Sequence, residues 1–287
     1  MNDFLNHWFA KISLNYSKKK ALLLKYKNLE LIWNTKVELL IKDNNFLDDD
    51  DIVKIVNSKD SDRLIQEINI LDDSHIHIVN ILEKEYPTKL KKLNKPPLII
   101  YYKGDLELCN EESIGVIGTR NPTEYGKKIS KDIACYISNN NISVISGMAY
   151  GIDTYAHLGA LIGHSRKTVA VLGNGLLECD IYPRSNIKLF NMIYEGGGLI
   201  ISEYPIYTKA AKEYFPARNR IIAALSDKII VVEAGIKSGS FITVDYALDM
   251  GIDVYAVPGG IYSSKSIGCN QLIKEGANML CNMKDIL

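Results

Sequence analysis

Basic and aromatic side chains are interleaved over residues 209–222, which read KAAKEYFPARNRII. Cationic side chains contact phosphates and aromatic rings stack on bases, so this mixture supplies the components of a groove for a single-stranded nucleic acid. The basic residues are Lys209, Lys212, Arg218 and Arg220, beside the rings of Tyr214 and Phe215. We expect at least one of the two arginines to be structural, paired with Glu203 or Glu233.

A second candidate anion site lies in the segment SIGVIGTRNPTEYG, residues 113–126. An apolar run ends at Gly118, Thr119 and Arg120 follow, and a helix-like stretch comes next. Backbone N–H groups at the turn from a strand into a helix suit phosphate oxygens, and Arg120 adds a bidentate cation. The pattern alone leaves three anions open: a cofactor pyrophosphate, a nucleotide, or a nucleic-acid backbone.

The same arrangement returns in SGMAYGID, residues 146–153, where Ser146 and Gly147 end a strand. Asp153 is expected to be the N-cap of the helix that follows, and His157 a packing residue. Two glycine turns at adjacent strand ends form one wide cradle, which favours an extended ligand with several phosphates. Two further basic candidates are Arg184, in the loop 173–186, and Lys237.

The segments that carry these residues alternate between short apolar runs and helix-like stretches from Ser113 onward. The apolar runs are IGVIG, ISVIS, TVAVLG, LIISEY, KIIVVEAG and DVYAVPG. Continuous β-branched runs alternating with helices predict an α/β fold, with a parallel sheet that has helices on both faces. Ligands bind such sheets at the carboxyl ends of the strands, and the candidate residues follow those ends.

The N-terminal part of the chain has a different pattern. Apolar residues recur at helical spacing over residues 1–71, and the acidic run at 48–51 is typical of a helix N-terminus. We therefore predict two domains, a small helical domain at 1–71 and an α/β domain at 72–287. The connecting region contains one predicted strand, Leu98 to Tyr102.

Composition narrows the function classes. Lys plus Arg and Asp plus Glu are both 34, so the net charge is zero and any polyanion site must be a local patch. The five cysteines form no C-x-x-C pair, and no third metal ligand lies near His75 and His77 in sequence, so we expect reduced thiols and no metal site. No signal-peptide pattern and no membrane-length apolar run are present, which predicts a cytoplasmic protein without a membrane partner.

Several ordered motifs together resemble the bacterial DNA-processing protein A family, DprA or Smf, from about Tyr86 to the C-terminus. They are GVIGTRNPTEYG, SGMAYGIDTYAH, VLGNGLLECDIYP, SEYP, FPARNRIIAALSD, VVEAGIKSGSFIT and VYAVPG. The resemblance implies an extended Rossmann-like domain after a small helical (SAM-like) domain. Many members continue into a winged-helix domain, and we expect this chain to be a form without it.

The resemblance also implies a function. Members of the family bind single-stranded DNA as dimers, load the RecA recombinase onto incoming strands in natural transformation, and protect those strands. By motif, the DNA-contacting residues fall on Arg120, Arg184, Lys212 and Phe215, with Asn219 in P-x-R-N-R. The run YTKAAKEY departs from the family's Gly and Pro before FPARNR, so Lys209 and Lys212 remain alternatives. We expect a homodimer through the C-terminal half.

Two other functions compete with this one. Similar folds hydrolyse nucleoside monophosphates, but those enzymes carry PGG-x-G-T followed by a Glu, whereas here PGG continues as IYSSKS. A dinucleotide sensor is disfavoured because Gly115-x-x-Gly118 is not the G-x-G-x-x-G fingerprint and no acidic residue closes the second strand. We therefore predict no cofactor and no enzymatic activity.

Overall fold

The structure is a computed structural model that describes residues 2–287. The chain divides into two compact units. The first unit extends to Tyr86 and includes Pro97–Tyr101, and the second comprises Pro87–Pro96 and Tyr102–Leu287. Residues 72–86, which the sequence assigned to the second domain, thus lie in the first unit.

The first unit contains a bundle of helices around an aromatic core. The Trp8 and Trp33 rings meet edge to face, with 4.9 Å between their centroids. The acidic run begins a helix as predicted, because Asp48 and Asp51 form a reciprocal capping box. The helices are α1 (Asn2–Lys11), α2 (Tyr16–Tyr26), α3 (Leu29–Asn34), α4 (Val37–Asp43), α5 (Asp49–Asn57) and α6 (Ser61–Asp73).

Nine strands are present in the described residues, and the six predicted from Ser113 onward are all confirmed. Strand β2 confirms the predicted strand at 98–102, whereas β1 and β9 were not predicted. The strands are β1 (His77–Asn80), β2 (Ile99–Gly104), β3 (Ser113–Ile117), β4 (Ser143–Ser146), β5 (Thr168–Leu172), β6 (Leu199–Ser202), β7 (Lys228–Val231), β8 (Asp253–Ala256) and β9 (Asn278–Met279).

Six helices connect the strands of the second unit. Thr123 caps the first of them, since its side chain accepts a hydrogen bond from the Gly126 N–H. The helices are α7 (Glu124–Asn139), α8 (Ile152–Ile162), α9 (Ile187–Glu195), α10 (Tyr214–Leu225), α11 (Ser240–Asp249) and α12 (Ile267–Lys274).

Seven strands of the second unit form a parallel sheet in the order β6-β5-β4-β3-β7-β8-β9. Strand β3 is the central one: β4 to β6 follow it on one side, and β7 to β9 on the other. The strand order therefore switches direction between β3 and β7. A parallel α/β sheet opens a crevice at the carboxyl ends of its strands at such a point.

Helices cover both faces of this sheet. Ile114 and Val116 of β3 point into a buried apolar cluster with α7 and α8. On the opposite face, Gly115 lies against the side chain of Ser226, which ends α10. The predicted α/β class with a Rossmann-like parallel sheet and a preceding helical region is confirmed.

Candidate functional site

A cleft of about 610 Å³ opens at the carboxyl edge of the sheet, beside the switch between β3 and β7. Its walls come from the loop after β3, from α10, and from the loop that leads into α11. Predicted site residues among its lining are Gly118, Thr119, Arg120, Lys212, Phe215, Arg218 and Asn219. The two basic segments singled out in the sequence thus meet at one cleft.

An arginine stacked on a phenylalanine forms one wall of the cleft. The guanidinium carbon of Arg120 lies 5.0 Å from the centroid of the Phe215 ring. Arg120 is exposed, and its guanidinium makes no hydrogen bond to any residue in the part of the chain that the structure describes. Its donors are therefore available to an anion, while the ring beneath holds the cation in place.

Aromatic rings continue from this pair along the cleft edge. The Tyr182 ring lies 5.7 Å from the Phe215 ring, and the Tyr150 ring lies 6.2 Å from that of Tyr182. Both tyrosines are exposed. Neither tyrosine was among the predicted site residues, although each is an aromatic residue in a loop after a strand. A row of rings beside free cations is suited to unpaired bases joined by phosphates.

Helix α10 presents one face to the cleft. Phe215, Arg218, Asn219 and Ile222 line it, and their spacing of i, i+3, i+4 and i+7 defines one stripe of a helix. The helix begins at Tyr214. Pro216 is compatible with this start because the first-turn N–H groups of a helix have no intrahelical partner.

Arg218 was predicted to contact DNA, but the structure places it inside the protein. Its side chain is 3% exposed, and its Nη1 donates to the carbonyl oxygens of Gly147, at 2.6 Å, and Val171. Burial lowers the pKa of Arg218 to about 10, and neighbouring Asp153 opposes that change. Arg218 therefore ties α10 to the ends of β4 and β5 and is a structural residue.

Arg220 is also structural, as expected for at least one of the pair. Its two terminal nitrogens donate to both carboxylate oxygens of Glu203, at 2.7 and 2.6 Å, and its Nε donates to the Lys95 carbonyl. A bidentate, half-buried ion pair leaves few donors for a ligand. The structure therefore gives Arg220 a structural role in place of the predicted DNA contact, and its predicted partner Glu203 is confirmed.

The turn after β3 is organised by Glu233, whose role the sequence analysis missed. The Thr119 N–H donates to the Glu233 carbonyl at 2.7 Å, so it is not the free phosphate donor that was predicted. The Glu233 carboxylate accepts from the N–H and the hydroxyl of Thr123. A Cβ atom at residue 118 would lie 2.8 Å from the Glu233 carbonyl oxygen, which explains why Gly118 is there.

In the turn after β4, the donors of Ser146 and Gly147 are also hydrogen-bonded within the protein, whereas the sequence predicted that both residues contact the ligand. The Ser146 hydroxyl is buried and donates to the Val116 carbonyl at 2.7 Å. The Gly147 N–H donates to the Asp153 carboxylate at 3.2 Å. Neither group is free for phosphate, because the fold already uses both as donors.

Two residues of α8, Asp153 and His157, are buried inside the protein. Asp153 lies inside the helix, whose N-cap is Gly151, so the prediction of an Asp153 N-cap is wrong. Its carboxylate instead accepts hydrogen bonds from backbone N–H groups of the preceding loop. Burial raises the pKa of Asp153, and the positive charge of Arg218 opposes that change. His157 is a packing residue as predicted, bonded to Thr168 at 2.7 Å, and burial lowers its pKa to about 3.

The remaining basic candidates differ in whether they line the cleft. Lys212 is exposed and lines the cleft, where it meets no carboxylate from residues 2–287. Lys209, Arg184 and Lys237 are exposed but do not line it, and Arg184 donates to the Glu178 carbonyl at 3.3 Å. The structure therefore favours Lys212 over Lys209, the alternative that the sequence left open.

The charges around the cleft favour an anion. Its lining contains three cationic side chains, those of Arg120, Lys212 and Arg218, and one acidic side chain, that of the buried Asp153. The opposite wall is the start of α11, where Ser238, Gly239 and Ser240 line the cleft and the two serine hydroxyls are hydrogen-bonded to each other at 2.8 Å. A helix N-terminus adds a partial positive charge to this wall.

Residues 2–287 contain no group of three or more His, Cys, Asp or Glu side chains placed to hold a metal ion. Among the helices of the same residues, none combines the length and the apolar character that a membrane crossing requires.

Comparison with known proteins settles the family. The family model of DNA recombination-mediator protein A matches residues 77–287. The chain belongs to this family. The DNA processing protein DprA of Bacillus subtilis is 38% identical to it over 212 residues, which cover 74% of this chain and 70% of that protein.

Two solved members of the DNA recombination-mediator protein A family resemble the structure. The DprA protein of Streptococcus pneumoniae superposes with a TM-score of 0.84 and 31% identity, covering 100% of this chain and 97% of that one. The DprA protein of Helicobacter pylori, described for its single-stranded DNA binding mode, gives a TM-score of 0.66 and 30% identity, covering 74% and 93%.

Proposed function

We propose that this chain is a recombination mediator that binds single-stranded DNA in the cleft beside β3 and α10. The observation that carries the proposal is the exposed Arg120 guanidinium stacked on Phe215, with Lys212 lining the same cleft. Cations without protein partners bind phosphates, and the exposed rings of Tyr182 and Tyr150 give bases a stacking surface. Family membership supports the same ligand, since a related DprA binds single-stranded DNA.

The preference for single strands follows from the kind of contact that the cleft offers. Rings that stack on bases need bases that are free of a duplex stack, whereas lysine and arginine alone would bind both forms through their phosphates. The protein has no net charge, so binding depends on this local patch and not on the whole surface.

The first experiment measures fluorescence anisotropy of a labelled single-stranded oligonucleotide and of its duplex at two salt concentrations. We expect salt-sensitive binding to the single strand and much weaker binding to the duplex. The double variant Arg120→Ala/Lys212→Ala should lose most of the affinity. Lys274→Ala, which removes one exposed charge from α12 outside the cleft, is the matched control. No binding of the single strand at low salt would contradict the proposal.

The proposal extends to the partners of the bound strand. The mediator would place RecA recombinase on incoming single strands in natural transformation and protect those strands from nucleases, in the cytoplasm. Family membership is the support for this part. The test is RecA filament formation on a single strand, and digestion of that strand by a nuclease, each with and without the protein. Equal rates in both conditions would refute it.

The proposed assembly is a homodimer through the C-terminal half. Its support is the resemblance to the family and the exposure of two large apolar side chains in that half, Leu248 on α11 and Met279 on β9. Sedimentation of the wild type and of Leu248→Glu/Met279→Glu tests it. The wild type should sediment as a dimer and the double variant as a monomer.

The proposal contains no catalytic step. The cleft lining offers one carboxylate, that of Asp153, which already accepts hydrogen bonds from two backbone N–H groups. Incubation with nucleoside monophosphates, followed by a search for released base, tests the competing hydrolase function. Release of free base by the wild type but not by a cleft variant would make the chain an enzyme.

A further inference from the structure

Two loops beside the cleft expose large apolar side chains at the carboxyl edge of the sheet. Residues 235–239 follow β7, and residues 258–266 follow β8; we call them the rim loops. Ile236 is 69% exposed, Ile261 is 78% exposed and Tyr262 is 97% exposed. An aromatic side chain exposed to that extent contributes almost nothing to the packing of its own chain.

Backbone hydrogen bonds of Ala234, the residue before the first rim loop, connect it to the second rim loop, and the first rim loop continues the cleft. The Ala234 N–H donates to the Lys265 carbonyl at 2.8 Å, and the Gly268 N–H donates to the Ala234 carbonyl at 2.8 Å. Ser238 and Gly239, at the end of the first rim loop, line the cleft itself. A ligand that leaves the cleft past Ser238 therefore meets the rim loops next.

Positive charges accompany the exposed apolar groups. Lys237 and Lys265 belong to the two rim loops, and within residues 2–287 neither ammonium group meets a carboxylate. The Tyr262 hydroxyl likewise has no hydrogen-bond partner in the described chain. A free ring, two aliphatic side chains and two free cations repeat the chemistry found at Phe215 and Arg120, which is suited to bases and phosphates.

We propose that the rim loops form a second contact site for the same single strand, with Tyr262 stacking on a base and Lys237 and Lys265 binding flanking phosphates. The proposal rests on the proposed function of the cleft. The ligand is nucleic acid because the rim loops are continuous with the cleft and because the charges of the rim loops complement phosphates. The strand then occupies a longer site than the cleft alone provides.

The test is a series of oligo-dT strands from about 4 to about 20 nucleotides, titrated against the full chain. For Tyr262→Ala, binding of the long strands should weaken about 5- to 100-fold, the range expected for one lost stacking contact. Binding of the shortest strands that still bind should be unchanged, because they fill the cleft alone. Tyr262→Phe keeps the ring and should bind as the wild type does.

Three results would overturn the proposal of a second contact site. They are an unchanged affinity of Tyr262→Ala at every length, an equal loss at every length, and a loss in Tyr262→Phe as large as that in Tyr262→Ala. The double variant Lys237→Ala/Lys265→Ala should lower the salt dependence for long strands only, and an unchanged salt dependence would also contradict the proposal. Failure of the cleft function itself differs, because the wild type would then bind no strand of any length.

Discussion

Arg120 and Arg218 line the same cleft from two different regions, and their surroundings give them opposite roles. The Arg120 side chain leaves the loop after β3, is exposed, and lies over the Phe215 ring. Arg218 lies one helical turn beyond Phe215, is 3% exposed, and donates to two backbone carbonyls. An arginine at a binding cleft therefore binds the ligand only while its donors are free.

The two candidate lysines also differ in whether they can contact a ligand in the cleft. Lys212 and Lys209 lie three residues apart in the segment before α10, yet only Lys212 is part of the cleft lining. Both are exposed, so exposure alone does not identify a ligand contact. Position relative to the carboxyl edge of β3 and the stripe of α10 distinguishes them.

The largest expected effect belongs to the buried arginine. Arg218→Met should lower the free energy of unfolding by about 3 kcal/mol, because two buried carbonyls lose their donor and Asp153 loses a neighbouring cation. Urea denaturation followed by circular dichroism measures this. Arg120→Ala is the control and should unfold as the wild type does. Equal stability of Arg218→Met and the wild type would remove the distinction between the two arginines.

The next effect is on binding. Phe215→Ala should weaken single-strand binding by about 2 kcal/mol, since it removes a stacking ring and the support beneath Arg120. Anisotropy at a fixed salt concentration gives the affinity, and a melting curve shows whether the fold is intact. A much lower melting temperature at undiminished affinity would make Phe215 a core residue instead.

A somewhat smaller loss is expected for the exposed arginine. Arg120→Ala should weaken binding by about 1.5 kcal/mol, near ten-fold, and by the same factor for oligonucleotides of different sequence, because phosphates carry no sequence information. The measurement is a competition assay with several unrelated strands. Arg120→Lys keeps the charge but not the bidentate geometry and should recover part of the loss. A sequence-dependent loss would indicate base recognition instead.

The smallest effect separates the two lysines. Lys212→Ala should reduce the slope of log affinity against log salt by about 0.7, the contribution of one phosphate contact with a single strand. Lys209→Ala should leave the slope unchanged, because Lys209 lies outside the cleft lining. Titrations at four salt concentrations measure both slopes. The reverse result would assign the phosphate contact to Lys209.

Much of the fold could be predicted because the strands are continuous apolar runs between turns. All six strands predicted from Ser113 onward are present, and the acidic run at 48–51 begins a helix. Helix α10 includes Pro216 in its first turn, where a proline is tolerated because the first N–H groups of a helix have no intrahelical partner.

The start of α10 at Tyr214 decides which residues of the basic run line the cleft. Because α10 begins at Tyr214, Phe215 and Arg218 lie on the stripe of the helix that lines the cleft, whereas Arg220 lies outside that stripe. Without this helical phase, the sequence does not show which basic residues of the run face the cleft. Other donors that looked free in the sequence were already used by distant groups. The Thr119 N–H is bound by the Glu233 carbonyl, and the Ser146 hydroxyl by that of Val116.

The sequence by itself determined the alternation of strands and helices, the glycine turns at the carboxyl edge, and the motifs that mark the family. Those features depend on neighbouring residues, whose spacing and backbone preferences are local. Only the tertiary structure decided which cations remain free, because a hydrogen-bond partner is supplied by whichever strand or helix packs against the donor. It thereby left Arg120 and Lys212 open to a ligand and committed Arg218 and Arg220 to the fold.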